Sequence, residues 1–253
     1  MYEDIALWSR KFTVTHYFVD PDGYASIHGL AFFLQEVAHH HATARSLGFE
    51  DLIKENKAWV LTRQAIRLFS IPVIGQEVTV ESWVENTTSS FSVRDFHILD
   101  DSGRVLVIAR TSWMMIDIIH RRPVKIPGEV LEKIPLTPGK LAEDLVLEKL
   151  PPVTPESGHE SFPVRYSDLD MNNHVNNITY VRWIMDGFDA GFRNKNRLYS
   201  LEINYLNEAL YGDRLTTGHH FDKENNAFFT IIKNETNNRE IAVARTIWKD
   251  KTL

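Results

Sequence analysis

The apolar positions of this chain change period several times, and each change marks an element. Residues 10–18 alternate apolar with polar in strand fashion, and Asp20-Pro21-Asp22-Gly23 then supplies turn chemistry. From His28 onward, Leu30, Phe33, Leu34, Val37, Ala38 and His41 recur at helical spacing and predict a long, buried helix. Segments 58–69, 77–84, 90–99 and 105–116 read as successive strands, punctuated by Pro72 with Gly75, by Asn86, and by Asp100-Asp101-Ser102-Gly103. One helix followed by a meander of long strands implies an α+β domain in which an antiparallel sheet wraps a central helix.

Residues 121–160 differ in kind. Seven of the ten prolines lie there, which opposes any long hydrogen-bonded ladder and predicts a linker, with a short helix around Glu143 to Leu150. Beyond it the first half returns. Ala109-Arg110-Thr111-Ser112-Trp113 reappears as Ala244-Arg245-Thr246-Ile247-Trp248, and Phe12-Thr13-Val14 as Phe162-Pro163-Val164. Repetition at about half the chain length implies two copies of one domain, packed as a pseudo-dimer within one chain, rather than a solenoid. The expected division is an N-terminal domain over 1–120, a proline-rich linker over 121–160 and a C-terminal domain over 161–253.

The second copy opens on a stretch with unusual chemistry. A short strand around Phe162, Val164 and Tyr166 gives way to Ser167-Asp168-Leu169-Asp170-Met171-Asn172-Asn173, turn and cap formers whose side chains bond their own backbone. From His174, the residues Val175, Ile178, Val181, Ile184, Met185 and Phe188 form an apolar helical stripe. A helix beginning there would present unpaired N–H groups beside Asp170, Asn172 and His174, a setting that favours negative charge on a ligand or on a reacting oxygen.

Composition narrows the chemistry further. The 253-residue chain has no cysteine, which excludes a disulfide framework, a thiolate metal site and a cysteine nucleophile within it. His39-His40-His41 cannot converge on one ion, because neighbours on a helix point about 100° apart; no metal or other cofactor is expected. A net charge of −6 argues against a nucleic-acid binder. No run reaches eighteen apolar residues, and the first twelve residues show neither a signal nor a transit pattern, so a cytoplasmic protein with no membrane role is expected.

The word Asp168-Leu169-Asp170-Met171-Asn172-Asn173-His174-Val175-Asn176-Asn177-Ile178-Thr179-Tyr180 resembles the active-site signature of the acyl-acyl-carrier-protein (acyl-ACP) thioesterases, Asp-Leu-Asp-Val-Asn-x-His-Val-Asn-Asn followed by a Tyr. Further words are similar: Trp59-Val60-Leu61-Thr62-Arg63, with Leu61 for the family's Val, Trp113-Met114-Met115, and Arg121-Arg122-x-x-Lys125-Ile126-Pro127. In Tyr205-Leu206-Asn207-Glu208-Ala209, expected on the strand after the helix, Glu208 falls on the family's catalytic Glu, and Ala209 stands where plant members carry Cys. The resemblance implies a tandem hotdog fold and hydrolysis of fatty acyl-ACP to free fatty acid, with an acyl carrier protein as partner and Asp170, Asn172, His174 and Glu208 as the catalytic set. Without a cysteine, a water activated by Glu208 or Asp170 is the expected nucleophile, and which carboxylate is the base stays open.

The first copy lacks the Asn-x-His-Val-Asn-Asn word, having Asp20, Asp22, Gly23 and later His28-Gly29, and is expected to serve the acyl chain through residues such as Phe32, Phe33 and Trp59. Docking of an acidic carrier protein on an acidic chain requires a local basic patch, for which Arg121, Arg122 and Lys125, or Arg193, Lys195 and Arg197, are the candidates. Hydrolysis of acyl-CoA and a non-catalytic acyl-binding module remain alternatives, and the fused pair could act as a monomer or associate as a homodimer.

Overall fold

The computed structural model describes residues 6–137 and 145–251. The chain divides into two compact units, Met1–Leu147 and Glu148–Leu253. In the first, β1 (Leu7–Thr13) leads through a 3-10 turn, His16–Phe18, into α1 (Ile27–Thr43) and the short α2 (Phe49–Leu52). Strands β2 (Lys57–Leu68), β3 (Glu77–Thr87), β4 (Ser92–Leu99) and β5 (Val105–Asp117) follow, then β6 (Arg122–Val124) and α3 (Gly128–Leu131). All pairings are antiparallel, in the order β1-β3-β4-β5-β2, with β6 added to β5.

The second unit repeats this plan. Strand β7 (Ser157–Pro163) passes through the 3-10 turn Tyr166–Asp168 to α4 (Asn177–Asp186) and α5 (Ala190–Lys195), followed by β8 (Asn196–Tyr205), β9 (Arg214–Asp222), β10 (Ala227–Asn234) and β11 (Glu240–Asp250). Its order, β7-β9-β10-β11-β8, is that of the first unit, again fully antiparallel. An antiparallel sheet carrying a central helix is therefore present twice, the α+β hotdog plan that the apolar periods predict.

Each helix buries the stripe its spacing prescribes. In α1, Leu30, Phe33, Leu34 and Val37 are almost entirely buried, and Phe33 stacks on Phe12 of β1 with ring centroids 4.6 Å apart. In α4, Trp183 packs on Phe162 of β7 at 5.0 Å and Tyr180 on Tyr205 of β8 at 5.8 Å. The repeated Ala-Arg-Thr-x-Trp word makes the same bond twice: Trp113 Nε1–H donates to Thr111 Oγ1 at 2.9 Å, and Trp248 Nε1–H to Thr246 Oγ1 at 3.0 Å.

Several expectations need correction. The strand expected over 10–18 ends at Thr13, and that around Phe162, Val164 and Tyr166 lies earlier, at Ser157–Pro163; in both units the chain must turn tightly into its helix, and 3-10 turns replace the last strand residues. Part of the short helix expected at Glu143 to Leu150 lies outside the described residues, and 145–150 is not helical. Leu145, Leu147, Leu150 and Val153 instead pack on the sheet: the first pair beside Ala65 and Ile108, the second beside Phe229 and Val243. The proline-rich segment also carries a strand, β6, and a helix, α3, which starts directly after Pro127.

The second unit holds a buried titratable group that the sequence did not single out. His219 of β9 is 6% exposed, its Nδ1 lies 2.9 Å from Thr230 Oγ1, and its buried Nε2 has no hydrogen-bond partner among the described residues. Gly187 closes over it so tightly that a Cβ there would lie 2.2 Å from Nε2. Burial lowers the His219 pKa below its usual value, outweighing the opposing charge of Glu160. The imidazole is thus neutral in the fold and protonates more readily in the unfolded chain, so its contribution to stability is complete above the unfolded pKa near 6.5 and falls as the pH drops below it. Urea midpoints measured at pH 7.5 and 5.5 should show a smaller acid-induced loss for His219→Gln than for the unsubstituted chain.

Candidate active site

Local bonds shape the signature turn. Asp170 N–H donates to His174 O at 2.8 Å and Asn173 N–H to Asp170 O at 3.1 Å, while Asp170 Oδ1 accepts the N–H groups of Asn172 at 2.8 Å and His174 at 3.4 Å. Asn173 takes the left-handed conformation (φ 60°) that closing the turn requires and that Asn tolerates. Val175 N–H then bonds Ala209 O at 3.1 Å, and a bridge joins His174 to Leu210, which ties the turn to the loop after β8.

The helix begins three residues later than its apolar stripe predicts. Asn176 is the N-cap, its side chain accepting Ile178 N–H at 3.0 Å and its own N–H bonding Asp168 O at 2.9 Å, so α4 starts at Asn177. The N–H groups of Asn172 through Asn176, with Ile178 and Thr179, are all engaged. The expected row of unpaired amides at His174 is therefore not present, because the Asx turn and the cap consume it. Asp170, Asn172 and His174 sit in the turn before the helix.

Glu208 lies in the loop beyond β8, not on the strand. The fold brings it to His174, with Nε2 and Oε2 3.3 Å apart and the two side chains 26% and 44% exposed. Asn172 shares the turn with an exposed side chain. Behind the pair, the Tyr180 hydroxyl accepts Ala209 N–H at 3.1 Å. Burial of Tyr180 drives its pKa upward, and the charges of Glu208, Asp170 and Asp213 act in the same direction, so the phenol stays protonated. Asp168, 3% exposed, receives Arg165 N–H at 2.8 Å on Oδ2 and pairs through Oδ1 with Arg182 of α4, fastening the turn to the helix.

The first unit builds the same turn from different residues. Asp20 Oδ1 accepts Asp22 and Tyr24 N–H, each at 3.0 Å, Ala25 N–H bonds Pro72 O at 2.7 Å, and Tyr24 bridges Val73. By this superposition of bonds Tyr24, not His28, stands at the place of His174, and Ile71 at that of Glu208. The first unit thus has no imidazole at the place of His174 and no carboxylate at that of Glu208.

The remaining predicted residues scatter. Phe33 is 1% exposed in the core and Phe32 stacks on Phe18 at 5.1 Å. Trp59 packs against Leu47, Leu52, Met115 and Val130. A cavity of about 350 Å³ lies in the second unit, lined among others by Phe162, Trp183, Arg165 and Arg182. Asp168 and Arg182, which line it, stand at the positions that the stacked Phe18 and Phe32 hold in the first unit. Arg121, Arg122 and Lys125 are exposed at and beside β6. Arg193, Lys195 and Arg197 lie where α5 meets β8, joined in register by Lys249, whose Nζ sits 3.4 Å from the Tyr199 ring centroid. Glu208 follows the other end of β8, a strand of 10 residues that spans about 30 Å.

Among the described residues no cluster of His, Cys, Asp and Glu could hold a metal, and no helix is long and apolar enough to cross a membrane. The acyl-ACP thioesterase N-terminal domain family matches residues 6–134, and the C-terminal domain family matches residues 153–250. A palmitoyl-acyl carrier protein thioesterase of Arabidopsis thaliana is 31% identical over 219 residues, covering 82% of this chain and 53% of the relative; one from Gossypium hirsutum is 32% identical with the same coverage. The chain thus spans about half the length of these curated relatives. The crystal structure of an acyl-ACP thioesterase from Bacteroides thetaiotaomicron superposes with a TM-score of 0.85 at 28% identity, covering 98% of this chain and 100% of that one. With both halves matched in order around the turn just described, the chain belongs to the acyl-ACP thioesterase family.

Proposed function

We propose that this chain hydrolyses the thioester of fatty acyl-ACP, releasing free fatty acid, and that its second unit carries the reaction. The observation behind this reading is the His174–Glu208 contact of 3.3 Å, made on the family's signature turn. Water adds to the thioester carbonyl as a base takes its proton, and the tetrahedral intermediate collapses to the acid and a thiol. Glu208 is the better base, because Asp170 Oδ1 is engaged by two backbone amides while Glu208 faces partly outward against His174. His174 relays or stabilises charge, Asn172 supplies a side-chain amide for the oxyanion, and Asp170 holds the turn. Since the amides around the helix start are engaged, side chains are the natural oxyanion donors.

The first unit, with Tyr24 and Ile71 at the corresponding positions, serves the acyl chain rather than the chemistry. The test is thiol release from the same acyl groups carried on acyl carrier protein and on CoA. Higher kcat/KM on the carrier protein is expected. Preference for CoA would replace the proposed substrate, and absence of turnover on both thioesters by folded protein would end the enzyme reading.

A further inference from the structure

We propose that Tyr180 is a positioning residue for Glu208, acting through the Ala209 amide; this rests on the site reading above. Ala209 directly follows Glu208 and is fully buried, so its N–H has no water to turn to, and the Tyr180 hydroxyl on α4 accepts it at 3.1 Å. The backbone beside the carboxylate is thereby held against a rigid helix instead of being left to a free loop.

The internal repeat separates this bond from the needs of the fold. Tyr180 stands four residues beyond the cap Asn176, where the first unit has Leu30 four residues beyond its cap Ser26. Ala209 offers its carbonyl to Val175 as Pro72 offers its own to Ala25. Leu30 has no hydroxyl and Pro72 has no N–H, so donor and acceptor are both missing from the half with Ile71 in place of the carboxylate. The same turn and bridges form there without them. The hydroxyl and the amide occur together only where there is a Glu to aim.

Tyr180→Phe should lower kcat about 10-fold or more, on the scale that a small misplacement of a reacting group produces, with KM within about twofold. Ala209→Pro imports the residue the first unit already accommodates and deletes the N–H; in that chain Tyr180→Phe should add no further loss. Thermal unfolding of each variant accompanies the kinetics. An unchanged kcat for Tyr180→Phe, or the same fold-loss with Ala209 and with Pro at 209, would overturn the proposal. Glu208→Gln in parallel tests the underlying reading: unimpaired Glu208→Gln removes the site assignment itself, whereas inactive Glu208→Gln beside unaffected Tyr180→Phe removes only the role of the tyrosine.

Discussion

Replacing His174 by Ala should lower thioester turnover by about 10²–10⁴-fold, the range that a positioned acid–base group contributes. Glu208→Gln should fall in the same range, and the double variant should be little worse than either single one, because two groups 3.3 Å apart that act as a unit do not contribute additively. Both side chains are partly exposed, so neither substitution opens a cavity, and unfolding midpoints should stay close to that of the unsubstituted protein. Measured kcat values by thiol release, beside thermal unfolding, decide the matter. Multiplicative losses would show that the two groups serve separate steps, and full activity in either single variant would remove that residue from the mechanism.

The largest effect on stability is expected from Arg110→Met. Arg110 grips Asp95 with two bonds of 2.7 Å, from Nε to Oδ1 and from Nη2 to Oδ2, and Nη1 donates to Leu145 O at 2.9 Å. Asp95 is 0% exposed, so removing the guanidinium strips both charge-assisted bonds from a carboxylate that water cannot reach. Breaking a buried pair in this way costs about 3–5 kcal/mol, whereas replacing both partners by apolar groups of similar volume restores much of it. Urea unfolding of Arg110→Met and of Asp95→Leu/Arg110→Met reads both effects. The repeat-related Arg245→Met should lose less, since its partner Glu202 keeps 17% side-chain exposure.

These two arginines also show how far the chain could be read without coordinates. Arg110 and Arg245 sit at the same place in one repeated word, yet Arg110 takes its acid from β4, the strand leading into its own, while Arg245 takes Glu202 from β8 on the other side. Sequence repetition reveals the cation twice. Which neighbour supplies the carboxylate depends on register between strands, which no local pattern contains.

Elements governed by local period were legible: α1 from its stripe, β2, β3, β4 and β5 from their alternation and intervening turns, and the signature from thirteen consecutive residues. Where side chains compete with the backbone for its own hydrogen bonds, local reading failed by a few residues. Asp170 and Asn176 hold amides that the apolar stripe alone assigns to a helix, so α4 starts at Asn177 instead of His174.

By itself, then, the sequence determined the doubled α+β plan, because periodicity and internal repetition act over short stretches of chain, and its resemblance to the family pointed to the half that carries the signature and to the candidate site residues. Only the tertiary structure decided that Glu208 meets His174 from a loop rather than a strand, that Tyr180 holds the amide next to it, and that Tyr24 and Ile71 fill the corresponding places in the first half. Those outcomes depend on strand pairing and helix packing across long stretches of chain, where many partners of equal local merit compete and the packed core selects one.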